Sequence, residues 1–583
     1  MHFIKTGLAA WSLIILSACN IQVENIPENT PRLKTTPTPT SSATPTPIPT
    51  SAPISTPIPQ VVMSTLPVLA PTGGVAFNID TKKNRKIVSP YIYGVNETVA
   101  FRLRGTPLYP HASFYRLGGN RTTTYNWENN ASNAGMDWGP NISDSYLGSS
   151  TTSGLAAANF ISSAMGKNTA SMVTVPMVPF VAANKNNVPL TKPAATDSAN
   201  WKINMAFKPA GASPSFADKN DGYVYQQEFI NYLEGLYSQK RTESKALFYS
   251  LDNEPGIWSE THPLVVPQKI SYTDLLARSI EFSRMIKGNA AATALVFGAV
   301  AYGYNEYVTL QDAPDAHYYG DWLNYFLTQM KNAEVKYGKR LLDVLDVHFY
   351  TENRTSDGTA VAINGASDAY PVESVISARV QAPRSLWDAS FVENSWISRD
   401  YLNGPVNLLP SLKKKISQSY PGTKLSISEY SYGGENHISG AIAQADALGI
   451  FAREELFAAN YYELREGAYP YAAFDMFRNY DGMGSKVGDL MVEGITTDHT
   501  KSSIYAYLKK GDETVMYLVA INKTSAKLPV NIGINHSVKF SSASVYQIDE
   551  HEAVPSNTEN FKIDANKFNY ILPPYSVSTI LLK

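Results

Sequence analysis

Short apolar runs recur through the middle of the chain, and helical spacing of apolar residues follows several of them. Residues 223–239 and 271–288 show that spacing, with apolar positions every three or four residues. Strands that alternate with helices are typical of a parallel sheet covered by helices. The predicted strands are 91–95, 113–119, 171–180, 246–253, 294–300, 341–350, 424–430 and 471–477. Eight such strands predict a (β/α)8 barrel, or TIM barrel, of the α/β class.

After about residue 485 the pattern changes to short alternating strands joined by turns, without a helical period. This pattern predicts an all-β sandwich. The run at 73–80 also alternates, and no helix separates it from the first predicted barrel strand. We therefore expect a smaller sandwich domain built from both chain ends, residues 73–88 and 485–583, and a barrel over residues 89–484. A chain of 583 residues is long enough for two such cores.

The first 19 residues have the features of an export signal. Lys5 precedes a short apolar run that ends in Leu-Ser-Ala-Cys, which is the usual order of a charged region, an apolar region and small residues. The run is too short for a stable bilayer-spanning helix. Cys19 is the only cysteine, so no internal disulfide is possible. Its position resembles the lipobox of bacterial lipoproteins, which implies acylation of Cys19 and a membrane tether; a plain secretory signal is the alternative.

Residues 20–72 are predicted to be a disordered linker. Its segment 35–59 contains proline, threonine and serine in close repetition and no charged residue. Such composition favours an extended spacer over a packed core. We expect an exported domain held away from a membrane, at the cell surface or in the periplasm. Asn20 is not the aspartate associated with inner-membrane retention, so the outer membrane is favoured in a cell that has one.

The composition is that of a globular protein, with 44% hydrophobic and 17% charged residues and a formal net charge of −2. A chain without a basic excess is a poor match for phosphates, which argues against nucleic-acid binding. The 36 tyrosines and 8 tryptophans offer flat faces that suit sugar rings, although core packing accounts for many of them. The sequence has no HExxH zinc motif, no P-loop and no complete dinucleotide fingerprint.

Barrels of this kind carry their active sites at the carboxyl ends of the strands, so polar residues that end the predicted runs are candidates. They are Asn96, Arg116, Asn120, Asp252, Asn253, Glu254, His348, Tyr350, Glu429, Tyr430 and Asp475. Glu254 follows the fourth run, and Glu429 ends the apolar part of the seventh. Two carboxylates across a barrel mouth suit glycoside hydrolysis, which needs one protonated and one ionised. For Glu254 alone, a surface acid at a strand end is the alternative interpretation.

Several longer segments resemble glycoside hydrolase family 44. They are 114–138, 251–262, 342–350, 385–397, 426–454 and 477–489, in the family's order and spacing across residues 75–583. The resemblance implies retaining endo-hydrolysis of β-1,4-glucans, such as cellulose derivatives, xyloglucan and lichenan, by a barrel with a β-sandwich. It makes Glu254 the acid/base and Glu429 the nucleophile. Two departures from the family pattern, Leu117 for tryptophan and Thr351 for proline, leave both carboxylates in place.

Supporting roles follow from this resemblance together with simple electrostatics. Arg116 and Tyr350 are expected to hold Glu429 ionised. His348 is expected to orient either glutamate, or to be a buried core histidine. The residues predicted to bind substrate or to support the site are Asn120, Asn253, Tyr430 and the possible stacking platforms Trp127, Trp258, Trp322 and Trp396. A strand-end cap is the alternative for Asn253. Packing in the core is the alternative for the tryptophans.

The predicted chemistry requires no cofactor, and no metal ligand can be assigned. Residues 218–222 resemble a calcium loop but lack the spacing and the terminal glutamate of an EF-hand, which favours a solvated turn. The family resemblance allows a structural calcium. The expected partners are a β-glucan chain and a membrane, and a monomer is expected. The competing functions are a surface glycan-binding lipoprotein that has lost activity, and a barrel glycosidase of other specificity, such as a mannanase or xylanase.

Overall fold

The computed structural model describes residues 67–96, 109–136, 141–212, 217–355, 363, 372–564 and 566–583. The predicted signal segment, its Cys19 and the predicted linker up to residue 66 lie outside the described residues. Among the described helices, none has the length and apolar character needed to cross a bilayer.

The described strands, numbered in chain order, are β1 Val75–Asp80, β2 Lys86–Ile87, β3 Gly94–Asn96, β4 Phe114–Leu117, β5 Ser132–Asn133, β6 Ser143–Asp144, β7 Ala170–Val175, β8 Phe180–Ala182, β9 Trp201–Met205, β10 Tyr223–Tyr225, β11 Leu247–Leu251, β12 Val296–Ala301, β13 Val344–Tyr350, β14 Lys424–Ser431, β15 Ala458–Tyr461, β16 Leu490–Thr496, β17 Ser502–Lys509, β18 Asp512–Asn522, β19 Leu528–Asn535, β20 Ser542–Ile548, β21 Ser556–Lys562, β22 Lys567–Leu572 and β23 Ser576–Leu582. The described α-helices are α1 Asn120–Thr123, α2 Leu155–Gly166, α3 Gln226–Tyr237, α4 Trp258–Thr261, α5 Tyr272–Asn289, α6 Tyr304–Thr309, α7 Ala316–Tyr319, α8 Trp322–Tyr337, α9 Glu373–Gln381, α10 Leu408–Ser419, α11 Ile438–Arg453 and α12 Tyr469–Arg478.

Eight parallel strands close the predicted barrel. Their order around it is β3, β4, β7, β11, β12, β13, β14 and β15, which is also their order in the chain. Strands β7, β11 and β12 are buried along their whole length, because helices cover their outer faces and side chains fill the interior. The predicted (β/α)8 barrel is confirmed, with β11 as its fourth strand and β14 as its seventh.

The eighth strand differs from the predicted one. Residues 471–477 lie in helix α12, and the strand is the shorter β15, which pairs with β14 and β3. The run resembles a strand because aromatic residues favour sheets, but Pro470 stands in the first turn of the helix, where proline is well tolerated. Asp475 is therefore not a strand-end residue, and it accepts a hydrogen bond from the Tyr109 hydroxyl at 2.9 Å.

Two of the longer outer helices begin at side-chain caps. Ser271 accepts a hydrogen bond from the backbone of Asp274 at the start of α5, at 3.0 Å. Asp321 does the same for Asn324 at the start of α8, at 2.9 Å. Such caps satisfy backbone donors that a helix start leaves free. Helix α8 ends at Gly338, whose left-handed φ of 66° suits glycine.

Aromatic rings fill the amino-terminal end of the barrel. Tyr91, Phe114, Phe248, Phe297 and Phe457 lie with ring centroids 5.3–6.4 Å apart. Side chains two residues apart on a strand share a face. The interior positions that follow these aromatic rings therefore lie nearer the carboxyl ends of the strands. The polar groups of the site occupy that end of the interior.

The second domain is a sheet of ten strands. Their order is β21, β20, β23, β18, β17, β16, β1, β19 and β22, with β2 against β16. Phe77, Ile532 and Val545 belong to one apolar cluster although their strands are far apart in this order, so the sheet folds over and encloses its own core. This confirms the predicted all-β domain, and β1 pairs with both β16 and β19.

The predicted boundary between linker and sandwich lies too late in the chain. Within residues 67–72, Val68 donates to the Asn78 side chain at 2.8 Å, and the carbonyl oxygen of Leu69 accepts from Asn531 at 2.8 Å. These contacts hold the segment against the sheet, so the ordered chain begins before residue 73.

A buried ion pair joins the barrel to the sandwich. Asp446 on α11 accepts from Lys523 at 2.7 Å and from the Tyr505 hydroxyl at 2.6 Å. Both charged side chains are 1% exposed. Because loss of either partner would leave a buried charge unpaired, this pair ties the two domains together.

Candidate active site

Glu254 lies in a tight turn directly after the fourth barrel strand. Its backbone is left-handed, with φ 45°, and so is that of Asp252, with φ 60°. Residues other than glycine rarely adopt this conformation, and where they do the surrounding contacts enforce it. The backbone N–H of Glu254 donates to the carbonyl oxygen of Val300 on the next strand at 3.0 Å. The turn presents a carboxyl group that is 8% exposed.

The carboxylate of Asp252 anchors this turn. It is fully buried and accepts hydrogen bonds from the Thr123 hydroxyl at 2.7 Å, from the backbone of Asn253 at 2.8 Å, and from the backbones of Met177 and Val178. Burial raises the pKa of Asp252 to about 7, although these hydrogen bonds lower it. Its donors follow three different barrel strands, so Asp252 fixes the barrel connections around Glu254.

A second buried acid, Glu306, supports the turn from the other side. Its two carboxyl oxygens accept from the backbone N–H groups of Gly256 at 3.1 Å and Tyr302 at 2.8 Å. A side chain at Gly256 would place its Cβ 2.7 Å from the Glu306 carboxyl carbon and would displace that carboxyl group. Burial raises the pKa of Glu306 to about 8. Glu306 thus links the connections after strands four and five.

Glu429 lies within strand β14 and is held by two donors. Nη1 of Arg116 donates to its Oε1 at 2.5 Å, and the Tyr350 hydroxyl donates to its Oε2 at 2.9 Å. The guanidinium of Arg116 is fully buried and also donates to Asn96 at 2.9 Å. A Cβ at Gly118 would meet that guanidinium at 2.3 Å, so a side chain there would displace Arg116 from Glu429. Both oxygens of Glu429 are thereby oriented, and the positive charge of Arg116 balances the negative charge of the carboxylate.

His348 lies between the two glutamates. Its Nδ1 is 2.7 Å from Oε1 of Glu254 and 3.7 Å from Oε2 of Glu429. The ring is fully buried, in register with Glu429 on the neighbouring strand. One nitrogen of His348 therefore lies close to both carboxyl groups.

The pKa values of the two glutamates move in opposite directions. Burial raises the pKa of Glu254, and the charge of Glu429 raises it further, while His348 and Arg116 oppose this. Burial also acts to raise the pKa of Glu429, but the charges of His348 and Arg116 and the hydrogen bonds from Arg116 and Tyr350 outweigh it and lower the pKa. One carboxyl group therefore favours the protonated form and the other the ionised form.

Three of the four predicted stacking tryptophans lie in the core. Trp127, Trp258 and Trp322 are 3%, 1% and 0% exposed, which leaves no face for a sugar. Trp127 stacks against Phe229 and donates to the Tyr225 carbonyl oxygen at 3.2 Å. These three predictions are wrong, because large aromatic side chains are buried for packing as often as they are presented to ligands.

The fourth tryptophan is placed differently. Trp396 is partly buried and follows the sixth barrel strand, with its ring 6.4 Å from that of Tyr304. Tyr401, whose exposed fraction is 51%, packs against the same tyrosine at 5.5 Å. Trp396 remains a candidate platform in an aromatic group on the carboxyl side of the barrel.

The predicted polar contacts are divided between the site and the core. Asn253 accepts from Nη2 of Arg116 at 2.6 Å and donates to Asn120 at 2.9 Å, so these amides join the network around Glu429. Tyr430 points the opposite way from Glu429 and is 1% exposed; its hydroxyl accepts from Gln444 at 2.8 Å. The prediction of Tyr430 as a substrate contact is wrong, since neighbouring residues in a strand face opposite sides.

Sequence reasoning missed two aromatic residues beside the carboxyl groups. Tyr302 directly follows strand β12 and is 38% exposed. Burial raises the pKa of Tyr302, and the negative charge of Glu254 raises it further. Tyr462 directly follows strand β15, and its ring lies edge-on to that of Tyr350 at 6.5 Å. Both have the signal applied to other residues, a position at the carboxyl end of a strand. They are missed because the predicted fifth strand ends at residue 300 and the predicted eighth strand is placed at 471–477, beyond β15.

The glutamates and His348 also form a group with possible metal ligands. Within the described residues, Glu254, His348 and Glu429 are the three whose ligand atoms all lie within 4.8 Å of one another. The guanidinium of Arg116 already neutralises Glu429 and would repel a metal ion there. The group therefore fits proton transfer between carboxyl groups better than it fits a metal.

Comparisons with known proteins agree with this geometry. A sequence model of glycoside hydrolase family 44 matches residues 131–353. The chain is 39% identical over 534 residues to Endoglucanase A of Paenibacillus lautus, covering 88% of this chain and 73% of that protein. It is 37% identical over 529 residues to Beta-mannanase/endoglucanase A of Caldicellulosiruptor saccharolyticus, covering 86% of this chain and 38% of that protein.

A solved structure is similar over the same range. The family 44 xyloglucanase of Paenibacillus polymyxa superposes with a TM-score of 0.81 at 36% identity, covering 87% of this chain and 99% of that chain. The similarity includes the barrel and the all-β domain, because 87% of this chain is matched.

Proposed function

Because this chain belongs to glycoside hydrolase family 44, we propose that Glu254 and Glu429 carry out retaining hydrolysis of β-1,4-glucan chains in its barrel mouth. The chain is an endo-acting β-glucan hydrolase, as its relatives are. The observation that carries the assignment is the short gap between the carboxyl groups: one oxygen of Glu254 and one of Glu429 lie within 4.8 Å of each other, and Nδ1 of His348 is 2.7 Å from the first residue and 3.7 Å from the second. Retaining enzymes need about 5–5.5 Å between carboxyl groups, and inverting enzymes need about 6.5–9.5 Å to admit a water.

In the first step, Glu429 is the nucleophile. Its ionised carboxylate attacks the anomeric carbon and forms a glycosyl ester, while the bond to the glycosidic oxygen breaks. Glu254 gives its proton to that oxygen, so the shortened chain leaves as an alcohol. The opposite pKa shifts of the two groups support these roles.

In the second step, Glu254 acts as a base. Its carboxylate takes a proton from water, and the water oxygen attacks the anomeric carbon and displaces Glu429. Glu429 returns to its ionised form and Glu254 to its protonated form. Two displacements at one carbon leave the product with the configuration of the substrate.

Arg116, Tyr350 and His348 position the two carboxyl groups. Arg116 and Tyr350 hold both oxygens of Glu429 and favour its charge. Nδ1 of His348 lies 2.7 Å from Glu254 and 3.7 Å from Glu429, so the ring helps to fix the two carboxyl groups relative to each other. Asn253 is 1% exposed; it accepts from Nη2 of Arg116 and donates to Asn120, so it helps to hold the Arg116 guanidinium in place.

The substrate class rests on relatives and on the aromatic groups around the mouth. The relatives are described as an endoglucanase and a xyloglucanase, which favours cellulose derivatives and xyloglucan. Tyr302, Tyr462 and Trp396 are proposed as platforms for sugar rings on the two sides of the carboxyl groups. A mannanase activity is the second candidate, since one relative is described as a β-mannanase/endoglucanase.

We also propose export and tethering of this enzyme. The support is the apolar run before Cys19 and the proline-rich segment after it. Palmitate labelling of the chain in a bacterial host, with Cys19→Ala as the control, tests the lipid anchor. Label on the wild-type chain and none on the variant is expected; equal label on both would contradict the anchor.

A side-by-side assay tests the function. Purified chain is offered xyloglucan, carboxymethylcellulose and mannan, and reducing ends and viscosity are followed together. An endo-acting glucanase lowers viscosity before many reducing ends appear. We expect this with at least one of the two glucans and its loss in Glu254→Gln and Glu429→Gln. Near-normal glucan hydrolysis by either variant would overturn the assignment.

A further inference from the structure

A buried ammonium group occupies an acidic pocket away from the catalytic carboxyl groups. Nζ of Lys202 lies 2.9 Å from Oε2 of Glu128, 3.3 Å from the carbonyl oxygen of Asp218 and 3.8 Å from Oδ1 of Asp221. The side chains of Lys202 and Glu128 are 9% and 2% exposed. The ammonium therefore meets three oxygens with little help from solvent.

The pocket joins three segments on the carboxyl side of the barrel. Glu128 follows the second barrel strand, Lys202 lies in β9, and Asp218 and Asp221 lie in the turn before β10. Strands β8, β9 and β10 form a small sheet inserted after the third barrel strand. Lys202 thus links this inserted sheet to the connection that follows β4.

The oxygens are of the kind that hard cations bind. Carboxylates and backbone carbonyl groups are the usual calcium ligands, with six to eight oxygens about 2.3–2.6 Å from the ion. Asp218 and Asp221 belong to the segment 218–222 that resembles a calcium loop. These oxygens would suit a metal ion, although the turn lacks the full spacing of a calcium loop.

A calcium ion does not fit this pocket while Lys202 occupies it. Nζ of Lys202 lies among the oxygens, and a divalent cation would be repelled by its charge. Within the described residues, the pocket supplies the carboxylates of Glu128 and Asp221 and the backbone carbonyl oxygen of Asp218, so a cation in the place of the ammonium would complete its ligands with water. The pocket is arranged around the ammonium.

A cation is needed in this pocket because Glu128 is buried. A buried carboxylate without a positive partner is strongly unfavourable. Burial raises the pKa of Glu128 to about 7 even though the Lys202 ammonium lowers it. The acid would therefore lose its charge, or the pocket would open, if no cation were supplied.

We propose that Lys202 is a built-in cation that takes the place of a divalent metal in the pocket of Glu128, Asp218 and Asp221. The ammonium ties the inserted sheet to the connection after β4 without a metal. Removal of this ammonium leaves an oxygen-lined site for a hard divalent cation such as Ca²⁺.

Thermal unfolding of the full chain and its Lys202→Met variant tests the proposal. Methionine is uncharged and one atom shorter than lysine, so the variant loses the ammonium and vacates the position of Nζ. In EDTA we expect its midpoint to fall by about 5 °C, as for a broken buried ion pair in a large domain. Added Ca²⁺ should raise the midpoint of the variant by several degrees more than that of the wild type, because only the variant has the vacant site.

A second buried pair provides a matched control. Lys523 pairs with Asp446 at 2.7 Å, and both side chains are 1% exposed, but a single carboxylate faces that ammonium in the described ion pairs. Lys523→Met should therefore be destabilised without recovery in Ca²⁺. Equal recovery of both variants would show a general effect of the ion and overturn the proposal.

Other outcomes are equally decisive. An unchanged midpoint of Lys202→Met in EDTA, or no extra rise with Ca²⁺, would overturn the proposal. If the variant does not fold in EDTA, refolding with and without Ca²⁺ replaces the thermal measurement. Folded protein with Ca²⁺ alone supports the built-in cation, and no folded protein in either buffer contradicts it.

Discussion

Nη1 of Arg116 donates to Oε1 of Glu429 at 2.5 Å, and the arginine is fully buried where the glutamate is 6% exposed. A positive charge held this close in a site with little water stabilises the ionised carboxylate strongly. The relationship gives Glu429 its lowered pKa in spite of its burial. The difference in protonation between the two glutamates therefore depends on a residue from the second barrel strand.

Replacement of Arg116 by Gln should move the acidic limb of the pH profile of kcat/KM. That limb follows protonation of Glu429, so loss of the guanidinium raises the pKa of Glu429 and shifts the limb upward by about 1–2 pH units. Tyr350→Phe should shift it in the same direction by less. The profile measured with a soluble glucan checks this, and an acidic limb unchanged in Arg116→Gln would contradict the role.

Replacement of Glu254 by Ala should slow hydrolysis to an extent that depends on the leaving group of the substrate. Hydrolysis of a glucan needs a proton on the departing oxygen, so its rate should fall about 10²–10⁴-fold. A dinitrophenyl cellobioside needs no such proton, and its first step should keep most of its rate. Azide should then speed turnover and give the β-glycosyl azide. Equal losses on both substrates would argue against Glu254 as the acid.

The basic limb of the wild-type profile should belong to Glu254. The first step needs the protonated form, so activity is present below the raised pKa of Glu254 and is lost as pH rises through it. In Glu254→Gln the residual activity on the dinitrophenyl glycoside should show no such limb. A basic limb that persists unchanged in the variant would assign it to another group.

Glu306 should make stability depend on pH. Its pKa is about 8 in the folded chain against an ordinary value of 4.5. Between these values the folded state holds a proton that the unfolded state has lost, so this group's contribution to stability falls as pH rises. Urea unfolding at pH 5 and pH 8 should show a larger loss in the wild type than in Glu306→Gln. Identical losses would contradict the buried, protonated state.

The aromatic residues at the barrel mouth should affect KM, and those in the core should affect folding. Tyr302→Ala and Tyr462→Ala should each raise KM for a polymer about 3–10-fold through lost stacking, with smaller changes in kcat. Trp322→Ala should instead lower the free energy of unfolding by about 3–5 kcal/mol. Steady-state kinetics with urea unfolding on the same variants separates these effects; a raised KM in a fully stable Trp322→Ala would contradict its place in the core.

The two glutamates could be predicted because their local sequence carries the signal. An acid that directly follows a long apolar run, in a chain of alternating strands and helices, lies at the carboxyl end of a barrel strand. The eighth strand could not be predicted in this way. β15 has only four residues, and the aromatic run within α12 has a residue pattern that is more typical of a strand than that of β15.

The surroundings of the glutamates depend on contacts between distant segments. Trp258 and Trp396 look alike in sequence, yet one is buried under the turn of Glu254 and the other is partly exposed. Lys202 and Glu128 are 74 residues apart, so their pairing follows from the fold and from no local pattern. Burial and long-range pairing are properties of tertiary structure that one sequence does not display.

Trapping of the covalent intermediate tests the assignment of the two carboxyl groups most directly. A dinitrophenyl 2-deoxy-2-fluoro-cellobioside slows both steps, but its good leaving group lets the first proceed, so a glycosyl-enzyme accumulates. We predict time-dependent inactivation and a fluorocellobiosyl label in the tryptic peptide 425–453, located on Glu429 by fragmentation. A label on any other residue, or turnover of the reagent without a covalent label, would contradict the account.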